Sequence, residues 1–118
     1  MIADYGCYRP QGQVTFEEAV HLIATAIEYA RDRKVKLLFV DSTKLIGFAS
    51  PGTWDRFWMG VQLAASGHSV VKLALMARPE LIDPQHFGVT VARNRGLLAD
   101  VFTTERDALT WLLDPQAE

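Results

Sequence analysis

The feature that most constrains the fold is a short apolar run that ends in a carboxylate. Residues 37–40 (LLFV) are all apolar, Lys36 precedes them and Asp41 follows them. An apolar run of this length between charged residues is typical of a strand buried on both faces of a sheet. In α/β sheets the functional groups lie just past the carboxyl ends of such strands. We therefore expect functional residues between positions 41 and 55.

Hydrophobic spacing and capping residues predict four strands that alternate with four helices. The predicted strands cover residues 4–9, 36–41, 70–77 and 100–103, and a turn at 10–12 follows the first. The predicted helices run from Thr15 to about Arg33, from Ser50 to Gly67, from Asp83 to Gly96, and from Thr104 to Asp114. The order β-α-β-α-β-α-β-α predicts an α/β fold with a mostly parallel sheet in a single domain, residues 1–118.

Composition limits the classes of function. The formal net charge is −2 for 118 residues, which gives no reason to expect nucleic acid or an anionic membrane surface as a partner. The longest apolar run, residues 73–77, is far too short for membrane insertion, and residues 1–10 lack a signal-peptide pattern. Cys7 is the only cysteine, as expected in a reducing compartment, so we expect a cytoplasmic protein.

The second predicted helix is apolar on two sides. Trp54, Phe57 and Trp58 share one stripe, which we expect to face the core and to leave room for an apolar pocket. Met59 and Leu63 lie on roughly the opposite side. They predict an outward interface with a second copy of the chain, as a homodimer, or with another protein. The alternative is that a loop or the C-terminal tail covers them.

Polar residues follow the central strand directly. A carboxylate and two hydroxyls, on Asp41, Ser42 and Thr43, could bind a ligand or accept a phosphate. The alternative is a turn in which Asp41 and Ser42 bond local backbone N–H groups. Asp55 and Arg56 could reach the same place from the next helix, or could form an ion pair there.

Other charged residues give weaker signals. Arg78, Arg93 and Arg95 could converge on a carboxylate or phosphate, or could simply balance surface charge. The three histidines, His21, His68 and His86, have no metal-ligand spacing, and no phosphate-binding glycine loop is present. We therefore predict no metal, no cofactor and no catalytic residue. A hydrolase using Asp41 and Ser42 is a third interpretation, for which the sequence supplies no base.

Several short blocks, in order along most of the chain, are similar to one protein family. The blocks are residues 12–19, 37–41, 51 with 55–56, 71–74, 92–96, 101–102 and 108–112. Together they resemble SpoIIAA-like proteins of the STAS and SEC14-like (CRAL-TRIO-like) superfamily. The resemblance implies a STAS-like mixed sheet with an antiparallel N-terminal strand. It also implies a non-enzymatic regulatory or protein-interaction role.

The same resemblance suggests how such a role would be carried out. Anti-sigma antagonists of the STAS type bind a kinase and are switched by phosphorylation in a loop that reads Asp-Ser-Ser-Gly-Leu. Here residues 41–45 read Asp-Ser-Thr-Lys-Leu, so the acceptor corresponds to Thr43, beside Ser42, and Lys44 replaces the glycine. The SEC14-like branch suggests instead a carrier or sensor that holds a small apolar ligand between helices and sheet.

Overall fold

The predicted α/β fold is confirmed by a computed structural model, which describes residues 5–67 and 70–116. The strands are β1 (Gly6–Tyr8), β2 (Gln11–Gln13), β3 (Leu37–Asp41), β4 (Lys44–Ile46), β5 (Lys72–Met76) and β6 (Leu98–Phe102). The helices are α1 (Phe16–Asp32), α2 (Thr53–Gly67), α3 (Phe87–Asn94) and α4 (Glu105–Leu112), and a 3₁₀ turn spans Pro79–Leu81. Among these residues no helix is long and apolar enough to cross a membrane.

The main sheet has four strands in the order β1-β3-β5-β6, and every pairing is parallel. The predicted central strand β3 lies between β1 and β5, with Asp41 opposite Met76 at its carboxyl end. The antiparallel N-terminal strand implied by the resemblance is wrong for the described residues, because β1 runs parallel to β3. The strand predicted over residues 4–9 is otherwise confirmed as the edge strand β1.

Two short strands form a separate parallel pair that the sequence did not predict. Gln11–Gln13 pairs with Lys44–Ile46, so the turn predicted at residues 10–12 is wrong. The pairing is long-range: it holds the loop after β3 against the segment before α1. Leu45, in the middle of β4, is fully buried there.

The sheet is covered on both faces. The larger apolar cluster joins α1, α2 and α3 to one face of the strands, with Ile27, Leu73 and Leu97 almost completely buried. The smaller cluster joins α4 to the other face through Phe39, Ala74, Ala108 and Leu112. Because β3 and β5 contribute to both clusters, the two central strands are mostly apolar, as is typical of a parallel sheet covered on both faces; their charged residues, Asp41 and Lys72, lie at the strand ends.

Local capping signals were good guides to some helix ends. Thr15 accepts a bond from the Glu18 N–H and the Glu18 carboxylate accepts one from the Thr15 N–H, which confirms the capping box. Thr104 caps α4 through the Asp107 N–H. Gly96 follows α3 with a φ of +98°, the left-handed conformation that glycine adopts without strain.

Two predicted helix starts are wrong by several residues. The carboxylate of Asp83 accepts bonds from the N–H groups of Gln85 and Phe87, so residues 83–86 form a turn and α3 begins at Phe87. The second helix begins at Thr53, not at Ser50. The Ser50 hydroxyl accepts a bond from the Arg56 guanidinium and makes no contact with a first-turn N–H.

The orientation predicted for α2 is also wrong. Leu63 is 4% exposed and Met59 packs against the larger cluster, whereas Trp54 is 82% exposed and Phe57 37% exposed. Trp58 alone of the aromatic stripe packs against the core. The interface predicted at Met59 and Leu63 therefore has no outward surface to form on.

The reason for this orientation is the close approach of α2 to α3. A Cβ atom on Gly60 would lie 2.7 Å from the Gly88 carbonyl oxygen and 2.8 Å from Val91 Cβ. Only glycine, which has no Cβ atom, fits at position 60 this close to α3. The side of α2 that carries Gly60, Leu63 and Ala64 therefore faces inward. The bulkier Trp54 and Phe57 are left outside, where they pack edge-to-face against each other.

Candidate functional site

Hydrogen bonds hold the first two residues of the loop that follows β3. The N–H and the hydroxyl of Ser42 both donate to the Met76 carbonyl, each at 2.9 Å. Thr43 donates its N–H to Asp41 Oδ1 at 3.0 Å and its hydroxyl to the same oxygen at 2.6 Å. The alternative that the sequence left open, a turn in which Asp41 and Ser42 bond local backbone N–H groups, is therefore correct for Asp41 and wrong for Ser42, which bonds the distant Met76 carbonyl instead.

Asp41 also reaches a residue that the sequence did not single out. Arg9 donates to Asp41 Oδ2 at 3.2 Å and to Glu105 Oε1 at 2.7 Å, and its guanidinium lies over the Phe39 ring. The Asp41 side chain is only 10% exposed, so its charge is largely withdrawn from water. Arg9 therefore ties the end of β1 to the end of β3 and to the start of α4.

The carboxyl of Asp41 has a pKa below its ordinary value. Burial acts to raise that pKa, but the hydroxyl and N–H of Thr43 and the guanidinium of Arg9 together lower it by more. Asp41 is thus ionised over the physiological pH range and is a poor proton acceptor. This charge state suits a structural anchor better than a general base.

An apolar cavity of about 100 Å³ lies beside this loop, at the carboxyl edge of the sheet. Its walls come from α1, the loop after β3, α2, α3 and β6, and include Phe16, Ala19, Leu45, Met59, Val89 and Val101. None of Trp54, Phe57 and Trp58 lines it, so the pocket predicted under that aromatic stripe is wrong in its lining residues. The reversed orientation of α2 puts Met59 there instead.

Arg56 joins two walls of the cavity. It donates to the Pro51 carbonyl at 3.0 Å, to the Leu81 carbonyl at 3.1 Å and to the Ser50 hydroxyl at 3.1 Å. The predicted convergence of Arg56 on the region after β3 is correct to the extent that Arg56 and Ser42 line the same cavity. Asp55 is exposed, forms no ion pair among the described residues and does not line the cavity.

Two further polar residues line the cavity near the start of α3. Asp83 has a lowered pKa because the backbone N–H groups of Phe87 and Gln85 bond its carboxylate. His86 adopts a left-handed conformation, with φ of 53°, and its Nδ1 lies 3.5 Å from Asp100 Oδ1. Together with Ser42 and Arg56, they give an otherwise apolar cavity a few polar groups.

The three arginines predicted to converge are at opposite edges of the sheet. Arg78 follows the carboxyl end of β5 and donates to the Leu45 carbonyl at 3.4 Å, while its buried Nε finds no hydrogen-bond partner among the residues that the structure describes. Arg93 donates to the Ala99 carbonyl near the amino end of β6, and Arg95 lies over the Phe57 ring. The prediction of a shared anion site is wrong, because α3 carries Arg93 and Arg95 away from the edge where Arg78 lies.

No metal centre is present in the described part of the chain. His21 and His86 are on different elements, and no group of three or more potential ligands is close enough to hold an ion among residues 5–67 and 70–116. The prediction about His68 lies outside the described residues. Cys7 is exposed on the edge strand β1.

The short segment after β3 connects the cavity with the surface. Ser42 and Leu45 line the cavity, whereas Thr43 is half-buried and Lys44 is exposed. Sequence analysis found the segment but missed Leu45 and Phe48, which also lines the cavity. Their large apolar side chains in a connection between a strand and a helix were the available signal.

Comparison with protein families, with curated proteins and with solved structures finds no match for the chain. The similarity to SpoIIAA-like proteins therefore stays a prediction from the sequence blocks.

Proposed function

We propose that the protein is a non-catalytic regulatory domain that responds to a small, mostly apolar ligand in the carboxyl-edge cavity. The observation that carries the proposal is the arrangement of residues 42–45. Ser42 and Leu45 line the cavity, and Thr43 and Lys44 between them reach the surface. A ligand that displaces Ser42 and Leu45 therefore also moves Thr43 and Lys44, which a partner protein contacts.

The size and polarity of the cavity define the ligand class. Its volume of about 100 Å³ is somewhat less than the ~150 Å³ that accommodates a benzene ring in an engineered protein cavity. A ligand with one small ring or a short alkyl chain fits this space. The hydroxyl of Ser42 and the imidazole of His86 can each bond one polar group of the ligand.

Thr43 and Lys44, the two residues of the segment that reach the surface, could transmit a signal to a partner protein. Thr43, the position expected for phosphorylation, is half-buried, and its hydroxyl donates to the Asp41 carboxylate at 2.6 Å. A phosphate there would add a charge of about −1.5 to −2 next to an ionised carboxylate, and the repulsion would release the loop. Ligand binding and phosphorylation would then act on the same four residues.

Filling the cavity tests the proposal. Ala19 is buried on α1 and lines the cavity, so Ala19→Leu should occupy the space and abolish ligand binding. Phenol and hexanoate serve as probes, with binding measured by thermal shift and with amide hydrogen exchange of residues 42–45 as the second measurement. Native mass spectrometry of protein from its own host identifies the natural ligand.

The matched control is Ala65→Leu, the same substitution at an exposed position of α2. It should bind the probes as the parent does. The proposal fails if no probe stabilises the parent and no ligand co-purifies from the host. It also fails if a probe binds the parent and Ala19→Leu equally well, because the ligand would then lie elsewhere.

A further inference from the structure

The outer edge of β1 is open to another strand. Gly6–Tyr8 is the first strand of the sheet, it pairs on one side with β3, and no strand of the described chain lies on its other side. Unpaired backbone N–H and C=O groups along such an edge can pair with an added strand. With only three residues, however, this edge offers few backbone bonds, so side chains must contribute to any docking.

A groove along this edge supplies that contribution. About 480 Å³ of space lies between β1 and α1, with Leu22, Ala26 and Tyr29 on the helical side and Val35 and Leu38 below. Tyr29 is 58% exposed, although it is a large side chain next to an apolar groove. The groove shares no lining residue with the carboxyl-edge cavity, so it is a separate site.

The amino end of the groove is positively charged. Gly6 and Val35 also line an adjoining depression, which Lys34 and Lys36 flank. Among residues 5–67 and 70–116, no aspartate or glutamate lines either space and neither lysine is ion-paired. On a chain with a net charge of −2, this edge is locally basic and complements an acidic partner.

The charges also argue against a second copy of the chain as the occupant. Two β1 edges paired about a twofold axis run antiparallel, so the lysine end of each copy would face the end of the other copy that carries Arg9, which places cations toward cations. Three-residue strands would bury little area to offset that repulsion. An acidic segment of a different protein avoids the repulsion, and its apolar side chains can enter the groove to supplement the few backbone bonds.

We propose that the open edge of β1 docks an extended segment of another protein, which adds to the sheet as a fifth strand. Alternate apolar side chains of that segment enter the groove beside Leu22, Ala26 and Tyr29. Its acidic side chains lie near Lys34 and Lys36.

Peptide titration tests this docking site. The probe is an acetylated eight-residue peptide of alternating valine and glutamate, and the matched peptide has lysine in place of glutamate. Amide chemical shifts of residues 6–8 and 34–36 are followed in the full chain. Cys7, exposed on β1 and the only cysteine, gives a second measurement, because strand addition should slow its reaction with a thiol reagent.

Charge reversal defines the contribution of the lysines. The double variant Lys34→Glu with Lys36→Glu should weaken binding of the acidic peptide roughly tenfold, as expected when exposed ion pairs are replaced by repulsion. The control is Arg95→Glu with Arg106→Glu, which changes the net charge equally at exposed positions outside the groove. The control should bind as the parent does.

The proposal is supported if the acidic peptide causes saturable chemical-shift changes at residues 6–8. These changes should be lost in the Lys34→Glu, Lys36→Glu variant and kept in the control. Any of the following results overturns it: no shift at residues 6–8, equal binding of the lysine peptide, or self-association that protects Cys7 without peptide. Protection of Cys7 that disappears on deletion of residues 1–4 also overturns it, because this chain's own segment would then occupy the groove.

Discussion

Asp41 gains its importance from contacts made by residues distant in the sequence. Its position after an apolar run predicted a carboxylate at the end of a buried strand, and that is where it lies. The bond from Arg9, 32 residues earlier, depends on the pairing of β1 with β3 and could not be read from local spacing. The bonds from Thr43 to Asp41 are local, and they could be predicted because an aspartate in a turn often accepts a hydrogen bond from the backbone two residues on.

Replacing this carboxylate should destabilise the fold. Asp41→Asn keeps the size of the side chain but removes the charge that Thr43 and Arg9 bond, at a cost of about 1–3 kcal/mol at neutral pH. Because the folded-state pKa of Asp41 is lowered, its contribution is present above the unfolded-state pKa of about 3.9. That contribution is lost as the pH falls through the folded-state pKa.

Urea denaturation at several pH values measures this effect. The difference between parent and Asp41→Asn should be constant near neutrality and should shrink below a pH of about 4. Glu28→Gln, at an exposed position of α1, is the control and should be nearly neutral throughout. Coincident denaturation curves for Asp41→Asn and the parent at pH 7 would contradict the structural role.

At the scale of elements, short-range signals predicted the order of the major helices and strands. The capping box at Thr15 and the left-handed Gly96 mark helix ends through contacts within a few residues. The strands β2 and β4 escaped prediction because each has three residues and forms only by pairing with the other. The face that α2 presents also depends on a partner element, since both of its sides are apolar.

The close contact of α2 with α3 predicts how replacing its glycines changes the stability of the protein. Gly60→Ala should destabilise the protein by about 1–3 kcal/mol, because the new methyl group meets the Gly88 carbonyl oxygen and Val91 Cβ at less than van der Waals distance. Gly88→Ala should cost less, since its closest neighbour is the flexible end of the Met59 side chain. Chemical denaturation of the two variants compares them directly.

Gly52→Ala is the control for the cost of the substitution itself. Nothing lies within 4 Å of a Cβ atom at that position, just before α2, and its φ is not in the left-handed region. Its stability should equal that of the parent or exceed it slightly. A Gly60→Ala variant as stable as the Gly52→Ala control would show that α2 and α3 are not in close contact.

At the scale of the whole molecule, the candidate cavity is assembled from residues between Phe16 and Val101. The sequence placed function at the carboxyl edge of the sheet because parallel strands end together there. It could not identify the lining residues, because they come from three helices, three strands and the 3₁₀ turn, and the faces that the helices present are set by packing between them. The general location was therefore predictable, and the particular side chains were not.

The α4 side of the molecule depends on a small cluster and on one lysine. Lys72 at the start of β5 donates to the carbonyls of Trp111 and Asp114, each at 3.0 Å, and lies over the Trp111 ring. Burial lowers the pKa of this lysine, and Asp114 partly offsets that effect. Since α4 is the only helix packed on its face of the sheet in the described residues, its loss would expose β3 and β5 together.

The two apolar clusters share their strands, so we expect them to unfold together. Leu112→Ala, in the smaller cluster, removes a side chain that is 1% exposed and should cost about 2–5 kcal/mol. Far-ultraviolet circular dichroism, which reports all four helices, and tryptophan fluorescence should then give one coincident transition at lower denaturant concentration. Leu113→Ala, one position along and 39% exposed, should have a much smaller effect. Separate transitions for the two signals would instead mean that α4 detaches while the other helices stay folded, and that the α4 face is an independent unit of stability.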